Sequence, residues 1–186
     1  MNIILIGPPG TGKGTQAEFL VKEFQLRHFI MGEVLRKQGN AQTVLGRKIK
    51  QIMDAGGLLS DDIVNEAARA ELEDTGFSNV ILDGIPRTAG QAAYIEELFA
   101  KHDAVINHVL LLELDDDKAI KRIKTRQKTY PREDSASEDV MRNRLKEYKL
   151  KTEKLIPFYE ERKILRRIDS SPSKQDVFEL IIKAIA

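Results

Sequence analysis

Apolar runs of two kinds alternate along this chain. "NIILIG", "SNVILDG" and "HVLLLEL" are short, continuous and rich in Ile, Val and Leu, the pattern of strands buried on both faces of a parallel sheet. "ILRRID" is a weaker run of the same kind, and "RHFI" near residue 28 completes a set of about five. Between these runs the period changes to that of helices. Ala17, Leu20, Val21 and Phe24 follow the i, i+3, i+4, i+7 spacing of one buried helix face, and Val177, Phe178, Ile181, Ile182 and Ile185 form a second stripe. Strands alternating with helices predict βαβ units with right-handed crossovers. The expected fold class is therefore α/β, three layers deep, with a central parallel sheet of about five strands and helices on both faces. Ligands of such sheets sit at the carboxyl ends of the strands.

Two stretches depart from this alternation. Residues 30–59 carry a helical pattern (Leu45, Ile49, Ile52, Met53) without a strand. They end in "DAGGLLSDD", a glycine turn leading into a helix with Ser60 as its predicted cap and acids in the first turn. Residues 127–137, "QKTYPREDSAS", are polar, hold Pro131 and lack any period, and so predict a loop between two long helices. The expected organisation is one domain, with a core of residues 1–29, 60–125 and 137–186 and inserts at 30–59 and 126–136.

Composition narrows the class further. With 186 residues, 41% hydrophobic and 32% charged, the chain suits a single globular domain with a sizeable core. Thirty basic against 29 acidic residues leave a net charge of +1, which argues against bulk affinity for nucleic acid or anionic membranes. Any anion site must be local. There is no cysteine, so neither disulfides nor a cysteine zinc site are expected. The N-terminal apolar run spans only four residues, too short for a signal core or membrane span. A cytoplasmic protein is the expectation.

"GPPGTGKGTQ", residues 7–16, follows the first predicted strand. Gly7, Gly10, Gly12 and Gly14 clear side chains from a loop whose N–H groups can converge on phosphate oxygens, and the helix behind it adds its positive end. Lys13 supplies a full charge for the β- and γ-phosphates. The common phosphate loop places Ser or Thr directly after the Lys, to reach magnesium. Here Gly14 takes that place, and the hydroxyl follows one position later at Thr15.

"VILDGIPRT" ends a strand in Asp83, where a carboxylate can position magnesium directly or through water; a turn residue is the plain alternative. Arg87 lies four residues on, at the same sheet edge, where a guanidinium can grip phosphate with two bonds. Arg122, Arg126, Arg132, Arg142 and Arg144 flank or occupy the polar loop. They suit a transferring phosphoryl group if the loop folds over the site, or a solvated helix face paired with Asp115 to Asp117 if it does not. Nucleic-acid binding is disfavoured by the neutral charge and by Tyr130 as the one aromatic nearby. His28, His102 and His108 share no metal spacing.

"GPPGTGKGTQ", "GEVLR", "DAGGLLSDD", "DGIPRT" with Gln91, "RIKTR", and "RNRLKEY" followed by "IPFYEER" resemble, in order and spacing, the adenylate kinases among the nucleoside monophosphate kinases. The resemblance covers essentially the whole chain, and a loop of the form G-x-P-G-x-G-K-G-T is what that family has. It implies an ATP site of Gly10, Thr11, Gly12, Lys13, Gly14 and Thr15, with Arg126 on phosphate and the backbone carbonyl of Pro172 at the adenine. It implies a monophosphate clamp over residues 30–59, where Met31 opens the site, Arg36 holds the α-phosphate, and the backbone of Gly57, Leu58 and Leu59 lines the base. Gly84, Ile85, Pro86, Arg87 and Gln91 resemble the second wall, with Arg87 on the AMP phosphate and Gln91 on adenine. Residues 126–136 resemble the short form of the family's lid, which has no zinc. Arg126, Arg132 and Arg144 match its lid and hinge arginines, so that the catalytic set implied is Lys13, Arg87, Arg126, Arg132 and Arg144.

One motif departs from the family pattern, at two of its positions: Met31, Gly32 and Glu33 stand where adenylate kinases have T-G-D. The reaction implied is MgATP + AMP to two ADP by a monomer that handles ATP, AMP and ADP, with magnesium held by phosphates and waters and Asp83 acting through water. A UMP/CMP kinase is the neighbouring alternative, although "PRT" at Pro86 to Thr88 is the adenylate kinase form. A non-catalytic nucleotide switch is the alternative from another class.

Overall fold

The computed structural model describes residues 1–129 and 137–186. Five strands form one sheet: β1 (Ile3–Ile6), β2 (Arg27–Ile30), β3 (Val80–Asp83), β4 (His108–Glu113) and β5 (Leu165–Asp169). Their order is β2-β3-β1-β4-β5, and every pairing is parallel. β1 is fully buried at the centre, which is why its sequence is a continuous apolar run rather than an alternating one. Register sets Leu5 opposite Asp83. The end of β3 therefore arrives beside the loop that leaves β1, at the point where the strand order turns back on itself.

Helices α1 (Lys13–Phe24), α2 (Met31–Gly39), α3 (Val44–Asp54), α4 (Asp61–Thr75), α5 (Ala89–Ala100), α6 (Asp116–Thr129), α7 (Glu138–Glu147), α8 (Leu155–Glu161) and α9 (Lys174–Ile185) make the outer layers, with a π-helical turn at Tyr148–Thr152. Two apolar clusters lie on the two faces of the sheet. One gathers Ile4, Ile6, Leu82 and Leu111 with Leu72, Ile95 and Tyr159. The other gathers Ile3, Leu5, Leu110 and Leu112 with Ala17, Leu20, Val177 and Ile181. Successive residues of β1 and β4 thus serve opposite cores, as strand geometry requires.

Several expectations need adjustment. Phe24 is 37% exposed rather than buried, because it is the last residue of α1, where the stripe runs off the sheet. Leu45 is 50% exposed, since α3 packs against α2 and buries only the narrow stripe centred on Ile49. Ser60 occupies the position before α4, but its side chain accepts no capping hydrogen bond. Thr43, Thr88, Ser137 and Ser173 do cap their helices. Helix α6 continues through residue 129, three residues into the stretch read as loop. Arg132, Tyr130 and most of the predicted lid lie outside the described residues.

Candidate active site

The loop after β1 is shaped by what cannot fit in it. Gly10 has φ +91, and a methyl group there would sit 2.6 Å from the carbonyl oxygen of Ala119, so a side chain would be excluded twice over. Beside Gly12 and Gly14 a methyl group would meet nothing within 4 Å. The loop is thus packed on its sheet side and open toward the end of the sheet. Helix α1 begins there with no side-chain cap and no acid in its first turn. Its first N–H groups and dipole are left to face an anion.

Lys13 turns back into its own loop. Its ammonium donates to the carbonyls of Gly7 at 2.7 Å and Pro8 at 3.0 Å, leaving one of its three N–H donors. Thr11 braces the same turn, its hydroxyl donating to Pro8 at 2.9 Å. Burial pushes the Lys13 ammonium down to about 8; Asp83 works against that, and the positive charges of Arg87, Arg144 and Arg126 add to it. Arginines from three separate segments therefore share a field with this one amine.

Asp83 is the counterweight. Burial works against its ionisation, but the His28 ring, then Lys13 and Arg87, outweigh it and hold the carboxyl below its usual range. His28 Nε2 stands 3.6 Å from Asp83 Oδ2. An ionised carboxylate at the mouth of a phosphate loop fits magnesium, which keeps most of its waters and takes one or two carboxylates plus phosphate oxygens. Among the described residues no group of three or more His, Cys, Asp or Glu could hold a metal ion by itself.

The second wall is built at the end of β3. A methyl group on Gly84 would lie 3.2 Å from the Arg87 guanidinium and 3.6 Å from Met31 Cβ. One on Gly32 would lie 3.4 Å from the Arg36 guanidinium. Gly84 thus adjoins Arg87 and Met31, and Arg36 lies beside the next residue, Gly32. Arg87 Nε donates to the Gly84 carbonyl at 2.9 Å, and Thr152, in the π-helical turn, donates to the Arg87 carbonyl at 3.1 Å. The Met31, Leu59 and Ile85 side chains belong to the core. The Ile85–Pro86 peptide is cis. The glycine turn after α3 meets α7: Asn143 donates to the Ala55 carbonyl at 2.8 Å.

The arginine constellation divides. Arg126 and Arg144 lie near Lys13. Arg122 instead pins residues 170–172, donating to the carbonyls of Ser170, Ser171 and Pro172 at 2.8, 3.1 and 3.4 Å. A cleft of about 440 Å³ lined by Glu113, Leu114, Asp115, Lys118, Asp169 and Ser171 opens beside that loop. Arg142 pairs with Glu138 on the exposed face of α7. That arginine is solvated, but its partner is Glu138 rather than Asp115 to Asp117.

The family model for adenylate kinase matches residues 5–164. The chain belongs to the adenylate kinase family. Adenylate kinases similar to it include that of Erythrobacter litoralis, 38% identical and covering 91% of this chain and 92% of the relative. That of Thermus thermophilus is 36% identical over 98% and 96%, and that of Xanthomonas euvesicatoria pv. vesicatoria is 39% identical over 100% and 99%. Membership makes the chain a phosphotransferase between ATP and AMP.

His28 and Thr152 lie outside every motif of the adenylate kinase pattern quoted above, and Asp61 falls within "DAGGLLSDD", where it reads only as an acid in the first turn of a helix. Thr88 with Gln91 three residues later has the spacing of a capping box, the one signal that pointed to part of this network. The structure uses it in altered form: Thr88 accepts from Gln91 N at 3.2 Å, while Gln91 Oε1 accepts from the N–H of Arg87, one residue before the cap.

Proposed function

We propose that this adenylate kinase works as a cytoplasmic monomer on MgATP and AMP, with residues 30–59 as the acceptor clamp and 126–136 as a short lid. The observation that carries the reading is the shared electrostatic field of Lys13, Asp83, Arg87, Arg126 and Arg144, at the junction of the phosphate loop and the Arg36–Gly84–Arg87 wall.

In this reading Gly10 to Thr15 cradle the ATP phosphates, Arg126 joins them, and the Pro172 carbonyl takes the adenine. Arg36 and Arg87 orient the AMP phosphate as nucleophile, with Gly57 to Leu59, Gly84 to Pro86 and Gln91 around its base. No proton acceptor is required, since the attacking oxygen is already anionic and the transition state is largely dissociative. What the chain supplies is alignment and positive charge. Lys13 can exchange a loop carbonyl for a phosphate oxygen, and Arg87, Arg126, Arg132 and Arg144 neutralise charge spreading over the transferring group. Asp83 would hold magnesium, which when bound would supply positive charge at the β- and γ-phosphates. Closure of clamp and lid would keep water from the phosphoryl group.

Large apolar side chains exposed among the described residues, Phe24, Val44, Leu45, Val105, Leu150 and Leu180, fall on five separate segments, which supports a monomer. The reaction draws on nucleotides of the cell interior, which supports the cytoplasm.

The test is purified protein with MgATP and each of AMP, CMP, UMP and GMP, following diphosphate formation. AMP is expected to give ADP fastest. Faster turnover of CMP or UMP would move the chain to the pyrimidine kinases, and ATP binding with no turnover of any acceptor would favour a nucleotide switch.

A further inference from the structure

Asp61, the first residue of α4, is half-buried against the start of α5. Its carboxylate accepts from the Thr88 hydroxyl, 2.8 Å from each oxygen, and from Gln91 Nε2 at 2.9 Å. Gly90 leaves room for it, since a methyl group there would fall 2.5 Å from Asp61 Oδ2. Gln91 is 2% exposed, and its Oε1 accepts from the Arg87 N–H at 2.8 Å.

These two partners allow no ambiguity about the amide. A backbone N–H can only donate and an ionised carboxylate can only accept, so oxygen must face Arg87 and nitrogen must face Asp61. Turning the amide over would set oxygen against carboxylate and N–H against N–H, two unfavourable contacts in a buried place. Once both partners are satisfied, one lone pair of Oε1 and one N–H of Nε2 are left for a ligand, in a fixed order.

That order matters for purines. A 6-aminopurine presents a donor at position 6 and an acceptor at N1, whereas a 6-oxopurine presents an acceptor at position 6 and a donor at N1. A freely turning amide suits both, and a locked one suits a single pattern. We infer that Asp61 is a specificity residue, which by locking the Gln91 amide makes the acceptor site choose 6-amino over 6-oxo purine monophosphates. This rests on the reading above that Gln91 faces the acceptor base.

The test is kcat/KM for AMP and for IMP in the wild type, Asp61→Asn, Thr88→Val and Gln91→Ala. The AMP/IMP ratio cancels the active fraction, so it remains readable if a variant folds incompletely. The amide introduced by Asp61→Asn can face Gln91 with either its oxygen or its N–H group, so one of the two unfavourable contacts of a turned Gln91 amide is removed and only the Arg87 N–H still opposes it. Asp61→Asn is therefore expected to lower the ratio about tenfold without abolishing it. Gln91→Ala is expected to lower it further, and Thr88→Val, which removes a bond to Asp61 but not the amide contact, to leave it within about twofold. A ratio unchanged in Asp61→Asn but collapsed in Gln91→Ala overturns the role of Asp61 and leaves the placement of Gln91 standing. A ratio unchanged in Gln91→Ala overturns that placement and the inference with it. An equal fall in Thr88→Val and Asp61→Asn would mean general loosening of the helix start, and also overturns the lock.

Discussion

Asn143 on α7 donates to the carbonyl oxygen of Ala55 at 2.8 Å, across 88 residues of sequence. The bond joins the helix after residue 137 to the turn that ends the α2–α3 insert.

Breaking that link tests whether the two are coupled. Asn143→Ala leaves the carbonyl to water, and since the bond is exposed its loss is expected to cost no more than about 1 kcal/mol. In a chain of this size that is a fall in Tm of about 2–4 °C. On the proposal that this turn lines the acceptor base, KM for AMP should rise more than KM for ATP. Equal changes in both would count against the coupling.

Gly56, in the same turn, has φ +73, and a methyl group there would lie 2.9 Å from both Arg144 Cγ and the Val140 carbonyl. Gly56→Ala is expected to destabilise by about 1–3 kcal/mol, from backbone strain and displacement of α7. Because Arg144 must shift, kcat should fall as well. Calorimetry and steady-state rates read the two effects separately.

Lys13 makes the site sensitive to alkali. Its free-enzyme value of about 8 predicts that kcat/KM for ATP falls as pH rises through that value. Bound phosphate favours the cation, so the limb in kcat should lie at higher pH. Stability moves the other way. The folded chain gives up this proton before the unfolded chain does, so the residue's contribution improves from about pH 8 toward the ordinary lysine value near 10.4. Lys13→Met should remove the limb and cut turnover by roughly 10²–10³-fold with the circular dichroism unchanged.

Asp83 raises the affinity of Lys13 for its proton. Asp83→Asn is therefore expected to move the alkaline limb of kcat/KM to lower pH. It should also raise the magnesium concentration needed for half-maximal rate, and chelation with excess EDTA should stop turnover of the wild type. A variant with unchanged magnesium dependence would remove Asp83 from the metal's surroundings.

Much of this molecule is legible without coordinates. Continuous apolar runs mark β1, β3 and β4 because a parallel strand covered on both faces has no polar face to alternate with, whereas the edge strands β2 and β5 give weaker runs. The phosphate loop is legible because backbone convergence on an anion demands glycines at set positions before a helix. Periodicity misjudges Phe24 and Leu45, since it says which residues share a helix face and not how far a neighbour covers that face.

Sequence by itself determined the βαβ order, the loop of Gly7 to Thr15, the carboxylate at the end of β3 and the supply of arginines. Only the tertiary structure decided which arginines share the field of Lys13, that Arg122 turns to residues 170–172, that His28 stands beside Asp83, and that Asp61 holds Gln91. The physical reason is range. Helix and strand patterns are written by neighbours a few residues apart. A hydrogen bond between Asp61 and Gln91, 30 residues apart, depends on how the start of α4 meets the start of α5, and no local period encodes that meeting.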